Sequence, residues 1–323
     1  MISRSLSWYC AGLVVATLQL ISPLWAADTP IVATVQSTHT EATLFGVYFQ
    51  STKLGWAVGS GGTVLKTVDG GKRWKKISSG PSVLLANVYF RDERLGWVIG
   101  ANGTIRMSRD GGETWTPQAI DTQASLYGIA FSSPKQGWIV GGNGTILRTN
   151  DGGMSWTEQT SRTNAALYAV RFGSEQHGVA VGAVGTVLVT DDGGATWSAL
   201  ESLGFVTFFD VYFSDASTGW AVGNAGALFQ TTDGGLHWVD RTLPCLRTCT
   251  KLTDLLRVRF TDSRTGWIVG ERGMLYRTTD SGFTWQEYGA VAKASLFSLS
   301  FPEPSHAWAS GENGTIVHLH IRR

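Results

Sequence analysis

Gln136-Gly137-Trp138-Ile139-Val140-Gly141-Gly142-Asn143-Gly144-Thr145-Ile146-Leu147-Arg148-Thr149-Asn150-Asp151-Gly152-Gly153-Met154-Ser155-Trp156 is one copy of a pattern that this chain repeats seven times. An apolar run of strand length reaches Asn143-Gly144, two residues that tolerate positive φ and make a hairpin turn. Thr145–Thr149 is the returning strand, a glycine turn follows, and Trp156 opens a further strand through Gln159. Upstream, Leu126-Tyr127-Gly128-Ile129-Ala130-Phe131 supplies the first strand. The gaps are too short for crossover helices, so the unit is a four-stranded antiparallel meander. The second-strand dipeptide recurs at Gly55-Trp56, Gly96-Trp97, Gly137-Trp138, Gly178-Val179, Gly219-Trp220, Gly266-Trp267 and Ala307-Trp308, spaced 41, 41, 41, 41, 47 and 41 residues apart. A period near forty built from short strands and glycine turns is that of propeller blades. The expectation is an all-β, seven-bladed β-propeller, its blades beginning near 44, 85, 126, 167, 208, 255 and 296.

Six units carry a tryptophan-bearing fourth strand, whereas the seventh ends at His318-Leu319-His320-Ile321-Arg322-Arg323, after its third. Pro30-Ile31-Val32-Ala33-Thr34-Val35-Gln36 is one strand too many at the other end. Residues 30–37 are therefore expected to complete the last blade, pairing with 315–321 and covering two exposed edges.

The turn before each fourth strand reads Ser/Thr-x-Asp-x-Gly-x-x-Trp, an Asp-box, with Asp69, Asp110, Asp151, Asp192, Asp233 and Asp280. Six regularly spaced carboxylates could be read as metal or catalytic acids. Their position at the same hairpin on different blades favours a local job: the carboxylate accepts backbone N–H bonds, glycines allow left-handed φ, and tryptophan covers the turn. Asn-Gly-Thr at Asn102, Asn143 and Asn313 is explained as turns rather than glycan acceptors.

Residues 1–27 have the form of an export signal: Arg4, an apolar stretch from Ala11 to Leu20, and Leu24-Trp25-Ala26-Ala27 as a cleavage site. The apolar span is shorter than a bilayer helix needs. No twin arginine precedes it, and Cys10 lies inside it rather than after small residues at its end. Residues 28–323 form the propeller domain, expected in the periplasm or thylakoid lumen as a monomer. Arg4 is the only charge before Asp28, so removing the leader leaves Lys plus Arg equal to the 25 Asp plus Glu. That balance argues against a nucleic-acid partner, which would require clustered excess Lys and Arg.

Cys245 and Cys249 fall in the one insertion, residues 243–254. An oxidising compartment favours a disulfide between them. Four extended residues span about 13 Å against the roughly 4.4–6.8 Å of bridged Cα atoms, so the segment must turn. A loop staple is the simpler reading; a redox role would want a shorter spacing at a helix start.

Function in a repeat ring is sought where the columns of the repeat disagree. On the first strands one column reads Gly46, Asn87, Gly128, Ala169, Asp210, Arg257, Ser298, and another reads Tyr48, Tyr89, Ala130, Arg171, Tyr212, Arg259, Ser300. Arginines enter only in blades 4 and 6, with Asp210 on the blade between. Arg171, Arg257 and Arg259 therefore read as a basic patch near the central channel that grips an acidic or carboxylate partner, with Arg247 and Lys251 of the insertion at its rim. The competing reading is that Asp210 and Arg257 pair across neighbouring blades, since buried charges must be matched. Tyr48, Tyr89 and Tyr212 fit interblade packing. His318 and His320 share a strand face but show no third metal ligand. No Gly-x-Ser-x-Gly, His-Glu-x-x-His or phosphate-cradling glycine loop is present, so neither metal nor small-molecule cofactor is expected.

Val-Tyr-Phe, then Gly-Trp-Ala-Val-Gly and Thr-x-Asp-Gly-Gly-x-x-Trp, repeated over about residues 44–323, resemble the photosystem II stability/assembly factors of plastids and cyanobacteria. The resemblance implies a non-catalytic seven-bladed scaffold that binds a nascent reaction-centre membrane protein on the lumenal side through an arginine patch. Arg171, Arg257 and Arg259 are its candidate equivalents here. The leader departs from the family's usual twin-arginine signal or lipid anchor. Asp-boxes also decorate sialidases, but no Arg-Ile-Pro segment is present, and loops long enough for a sugar pocket are missing outside 243–254. A carbohydrate- or envelope-binding propeller and a sialidase-like glycoside hydrolase are the alternative readings.

Overall fold

Blade 3 folds as its alternation requires, through Leu126–Phe131, Gly137–Gly141, Ile146–Thr149 and Thr157–Gln159, hydrogen-bonded in that order. The computed structural model describes residues 31–243 and 253–322, and within them seven such four-stranded antiparallel sheets stand in a ring. The first strands are Leu44–Phe49, Leu85–Phe90, Leu126–Phe131, Leu167–Phe172, Phe208–Phe213, Leu255–Phe260 and Leu296–Glu303. Each packs against the first strands of both neighbouring blades, and that of blade 7 against that of blade 1, so they line a central channel. The expected closure is present: Ile31–Gln36 pairs antiparallel with Ile316–Ile321, Ile31 opposite Ile321 and Gln36 opposite Ile316. Residues 1–30 and residues 244–252 of the insertion, with Cys245, Arg247, Cys249 and Lys251, lie outside the described residues.

The apolar core is divided into seven clusters, one at each interface between neighbouring blades. The second-strand tryptophan is the centre of most of them. Trp56 of blade 1 stacks on Phe90 of blade 2 at 3.6 Å, and Trp308 of blade 7 stacks on Phe49 of blade 1 at 3.8 Å. Its indole N–H crosses the interface too: Trp56 donates to the Gly111 carbonyl and Trp97 to that of Gly153, both in the next blade's Asp-box. Repetition of Gly-Trp is thus repetition of an interface. At blade 4 the residue is Val179, so Phe213 of blade 5 has no indole to stack on; Trp238 instead closes on its own turn, donating to the Gly235 carbonyl.

The Asp-boxes have the local role expected of them. In blade 3 the Asp151 carboxylate accepts the Met154 and Ser155 amides and the Thr149 and Ser155 hydroxyls. Burial by itself would raise this acid, but those donors outweigh it and hold Asp151 down to about 2. The following glycine has two reasons to be glycine. Gly153 sits at φ +80, and a Cβ there would lie 2.6 Å from the Trp97 ring of blade 2. The Asn143-Gly144 turn also takes the positive φ expected of it, at 54° and 68°.

Candidate functional site

The first strands run along the channel, and six positions on each set what it presents. In every blade a register shift interrupts the pairing of the first and second strands between the first and third of these positions, as between Leu44 and Gly46. The channel accordingly has two chemically different ends, which share only Arg257 among the residues lining them.

One end is a cavity of about 350 Å³ lined by Tyr48, Tyr89, Arg171, Tyr212, Arg257, Arg259 and the apolar residues between them. The three arginines singled out in the sequence are thus brought together, from blades that are not adjacent. Asp210 of blade 5 is fully buried beneath them. Its Oδ1 meets Arg257 at 3.2 Å, and its Oδ2 meets Arg259 at 2.6 Å while accepting the Val258 amide at 3.1 Å. Burial works to raise the Asp210 carboxyl; Arg259, Arg257 and Arg171 and the Val258 amide outweigh it and keep the group below the usual carboxylate range. Asp210 thus pairs across the blade interface with Arg257 and also with Arg259.

Among the described residues Arg171 meets no carboxylate. It donates to the carbonyls of Val170 at 2.9 Å and Ile129 at 3.4 Å. Burial, then the charges of Arg259 and Arg257, bring its guanidinium down to about 10, with Asp210 opposing, so it stays charged at neutral pH. Two guanidiniums share one carboxylate and a third stands beside them, so among the described residues the cavity holds two more positive charges than negative ones.

The tyrosines are both packing and lining. Tyr89 stacks on Phe131 at 5.2 Å and Tyr48 meets Tyr89 edge-on at 5.6 Å. Tyr212 donates its hydroxyl to the Phe260 carbonyl, and Arg259 lies over its ring at 5.9 Å. Burial pushes the Tyr48 and Tyr89 hydroxyls above the usual phenol value.

The opposite end is a cavity of about 470 Å³ that the alternation of the strands did not foretell. Its wall is the second position of the first strands: Phe45, Tyr127, Tyr168, Phe209 and Phe297, with Ala86 and Leu256. Strict alternation would put this column on the same face as Val47 and Phe49; the register shift turns it to the channel instead. Aromatic residues in five of seven copies were the available signal. Arg247 and Lys251 are not described, but Asp254, two residues past the undescribed segment, lines this second mouth and not the arginine-lined one.

His318 and His320 are joined by His306, which stacks on them at 5.3 and 4.7 Å. Among the described residues no group of three His, Cys, Asp or Glu is placed to hold a metal ion, and no helix is long and apolar enough to cross a membrane.

A profile of the family described as photosynthesis system II assembly factor YCF48 matches residues 32–116, 114–166 and 200–289. The chain belongs to the YCF48 family. No curated protein matches it in sequence. Among solved structures it is similar to YCF48 bound to a D1 peptide, with TM-score 0.74 and 21% identity over 91% of this chain and 97% of that one. It is also similar to YCF48 from Cyanidioschyzon merolae, with TM-score 0.72 and 23% identity over 89% and 98%. A streptogramin B lyase has the same ring, with TM-score 0.76 and 15% identity over 90% and 98%. At these identities the structures share the YCF48 fold with this chain, and the fold alone hosts both binders and enzymes.

Proposed function

We propose that the protein is a non-catalytic, exported scaffold that holds an acidic or carboxylate-bearing segment of a membrane-protein client at the arginine-lined end of its channel. The observation that carries this reading is Arg171, a charged guanidinium that among the described residues meets no carboxylate, beside two more that share Asp210. A guanidinium fork suits bidentate recognition of a carboxylate. Membership of the YCF48 family and the D1 peptide held by one YCF48 structure support a client of the same class, a reaction-centre or other membrane protein. The leader-like residues 1–27 support export to a periplasm or thylakoid lumen, where the ring acts as a monomer.

Arg171→Ala leaves the Asp210 pairs intact and is the informative variant. Co-purification of clients from solubilised membranes should fall with Arg171→Ala in a ring whose melting temperature is preserved. Client recovery equal to that of the unaltered protein would sink the arginine reading, and turnover of sialosides or other glycosides by the pure protein would sink the scaffold.

A further inference from the structure

The mouth opposite the arginines carries its own charge pattern. In the turn between second and third strands, the leading position reads Ser60, Ala101, Gly142, Ala183, Asn224, Glu271, Glu312, acidic only in blades 6 and 7. Asp254, just before the first strand of blade 6, adds a third carboxylate on the same side. All three line the aromatic mouth and, among the described residues, none is in an ion pair. Each spends part of its acceptor capacity locally: Glu312 accepts the Ser295 amide at 3.1 Å, Glu271 the Asp254 amide at 3.5 Å, and Asp254 the Ala225 amide at 2.8 Å. At the floor of this mouth Arg257 points its charge to the far side, where it shares Asp210 with Arg259, and donates Nε to the Phe297 carbonyl at 3.2 Å.

The walls complement those acids. Tyr127 and Tyr168 lie 5.2 Å apart, Tyr168 and Phe209 6.0 Å, and Phe45 and Phe297 5.3 Å, all half-buried at the opening. Ring faces attract a cation that has shed part of its water, and carboxylates beside them add Coulombic attraction. The same face of the ring also exposes apolar surface. Val184 holds φ +54 in the blade 4 turn and is 58% exposed, and Phe205 in the linker that follows is 96% exposed. A β-branched residue kept in that conformation at the surface is unfavourable for folding.

We propose that this mouth is a second binding site, for a lysine or arginine side chain on an extended peptide segment, with flanking apolar residues reaching toward Phe205. The scaffold then reads opposite charges at its two ends: a carboxylate at Arg171, a cation between the aromatic ring and Glu271, Glu312 and Asp254. The cavity exceeds the volume of one guanidinium, which is why the ligand is a peptide segment rather than a free cation.

The test is titration of the full mature protein, by intrinsic fluorescence and calorimetry, with a nine-residue peptide bearing one arginine among leucines and with its glutamate counterpart. The variant is Glu271→Gln with Glu312→Gln, since the amide oxygen still accepts the Asp254 and Ser295 amides and the fold is kept. Binding of the arginine peptide should weaken about tenfold in that variant and in raised salt, while Arg171→Ala leaves it unchanged. Phe297→Ala should weaken it as well. An arginine peptide that binds no better than the glutamate one, or that binds the double variant as tightly as the parent, would overturn the proposal. Loss in Arg171→Ala alone would place the peptide at the other end and overturn it equally.

Discussion

Replacing Asp210 by asparagine removes one negative charge and almost no volume from a position with no solvent exposure. Arg257 at 3.2 Å and Arg259 at 2.6 Å then keep their charges without a counter-charge, with Arg171 close enough to add repulsion. Each contact is worth on the order of 4 kcal/mol at an effective dielectric of 20, but releasing the aspartate from burial returns several kcal/mol. Breaking a buried pair by removing one partner accordingly costs about 3–5 kcal/mol. Unfolding entropy for a ring of this size is roughly 0.6 kcal/mol/K, so the melting temperature of Asp210→Asn should fall by about 5–8 °C. Calorimetry at neutral pH measures it. The companion variant carries Asp210→Asn with Arg257→Gln and Arg259→Gln, which removes the stranded charges and should recover part of the loss. A single variant that melts within about 1 °C of the parent, or a triple variant no more stable than the single one, would show that the pairs do not hold the channel together.

A chain starting at residue 40 loses the six residue pairs between Ile31–Gln36 and Ile316–Ile321; at about 0.5–1.5 kcal/mol per hydrogen bond it should be less stable by about 3–9 kcal/mol and should aggregate through the bared edge. Equal denaturant midpoints would reject that role for the strand. Trp56→Ala removes both the stack on Phe90 and the bond to Gly111 and should cost about 3–5 kcal/mol in urea unfolding. His318, pushed down to about 4 by burial and then by His306 and His320, takes a proton near pH 6.5 in the unfolded chain but only near pH 4 in the ring. The unfolded state therefore binds more protons in that window, so stability is complete above about pH 6.5 and declines as pH falls toward 4. His318→Gln, which copies Gln230 at the matching position of blade 5, should flatten that part of the melting-temperature profile; an unchanged slope would assign it elsewhere.

Sequence by itself determined the ring. A 41-residue period, Gly-Trp in the second strand and Asp-boxes at the third turn leave little choice of architecture, because each repeat is one meander that cannot bury both faces alone. It also determined the closure, since an unmatched strand at 30–36 and a blade one strand short can satisfy each other's edge hydrogen bonds. The purpose of Gly-Trp came only from the packed ring: Trp56, Trp97 and Trp308 reach across to the next blade. Tertiary structure alone decided the charge state of the channel. Arg171, Arg257 and Arg259 could be picked out by column, but which of them is matched depends on the approach of blade 5 to blade 6, which brings Asp210 within bonding distance of two guanidiniums and leaves the third, among the described residues, with backbone carbonyls only. It also decided the aromatic mouth. Side-chain direction along a strand follows alternation only while the ladder is regular, and one register shift in each blade sends Phe45, Tyr127, Tyr168, Phe209 and Phe297 to the channel instead of the core.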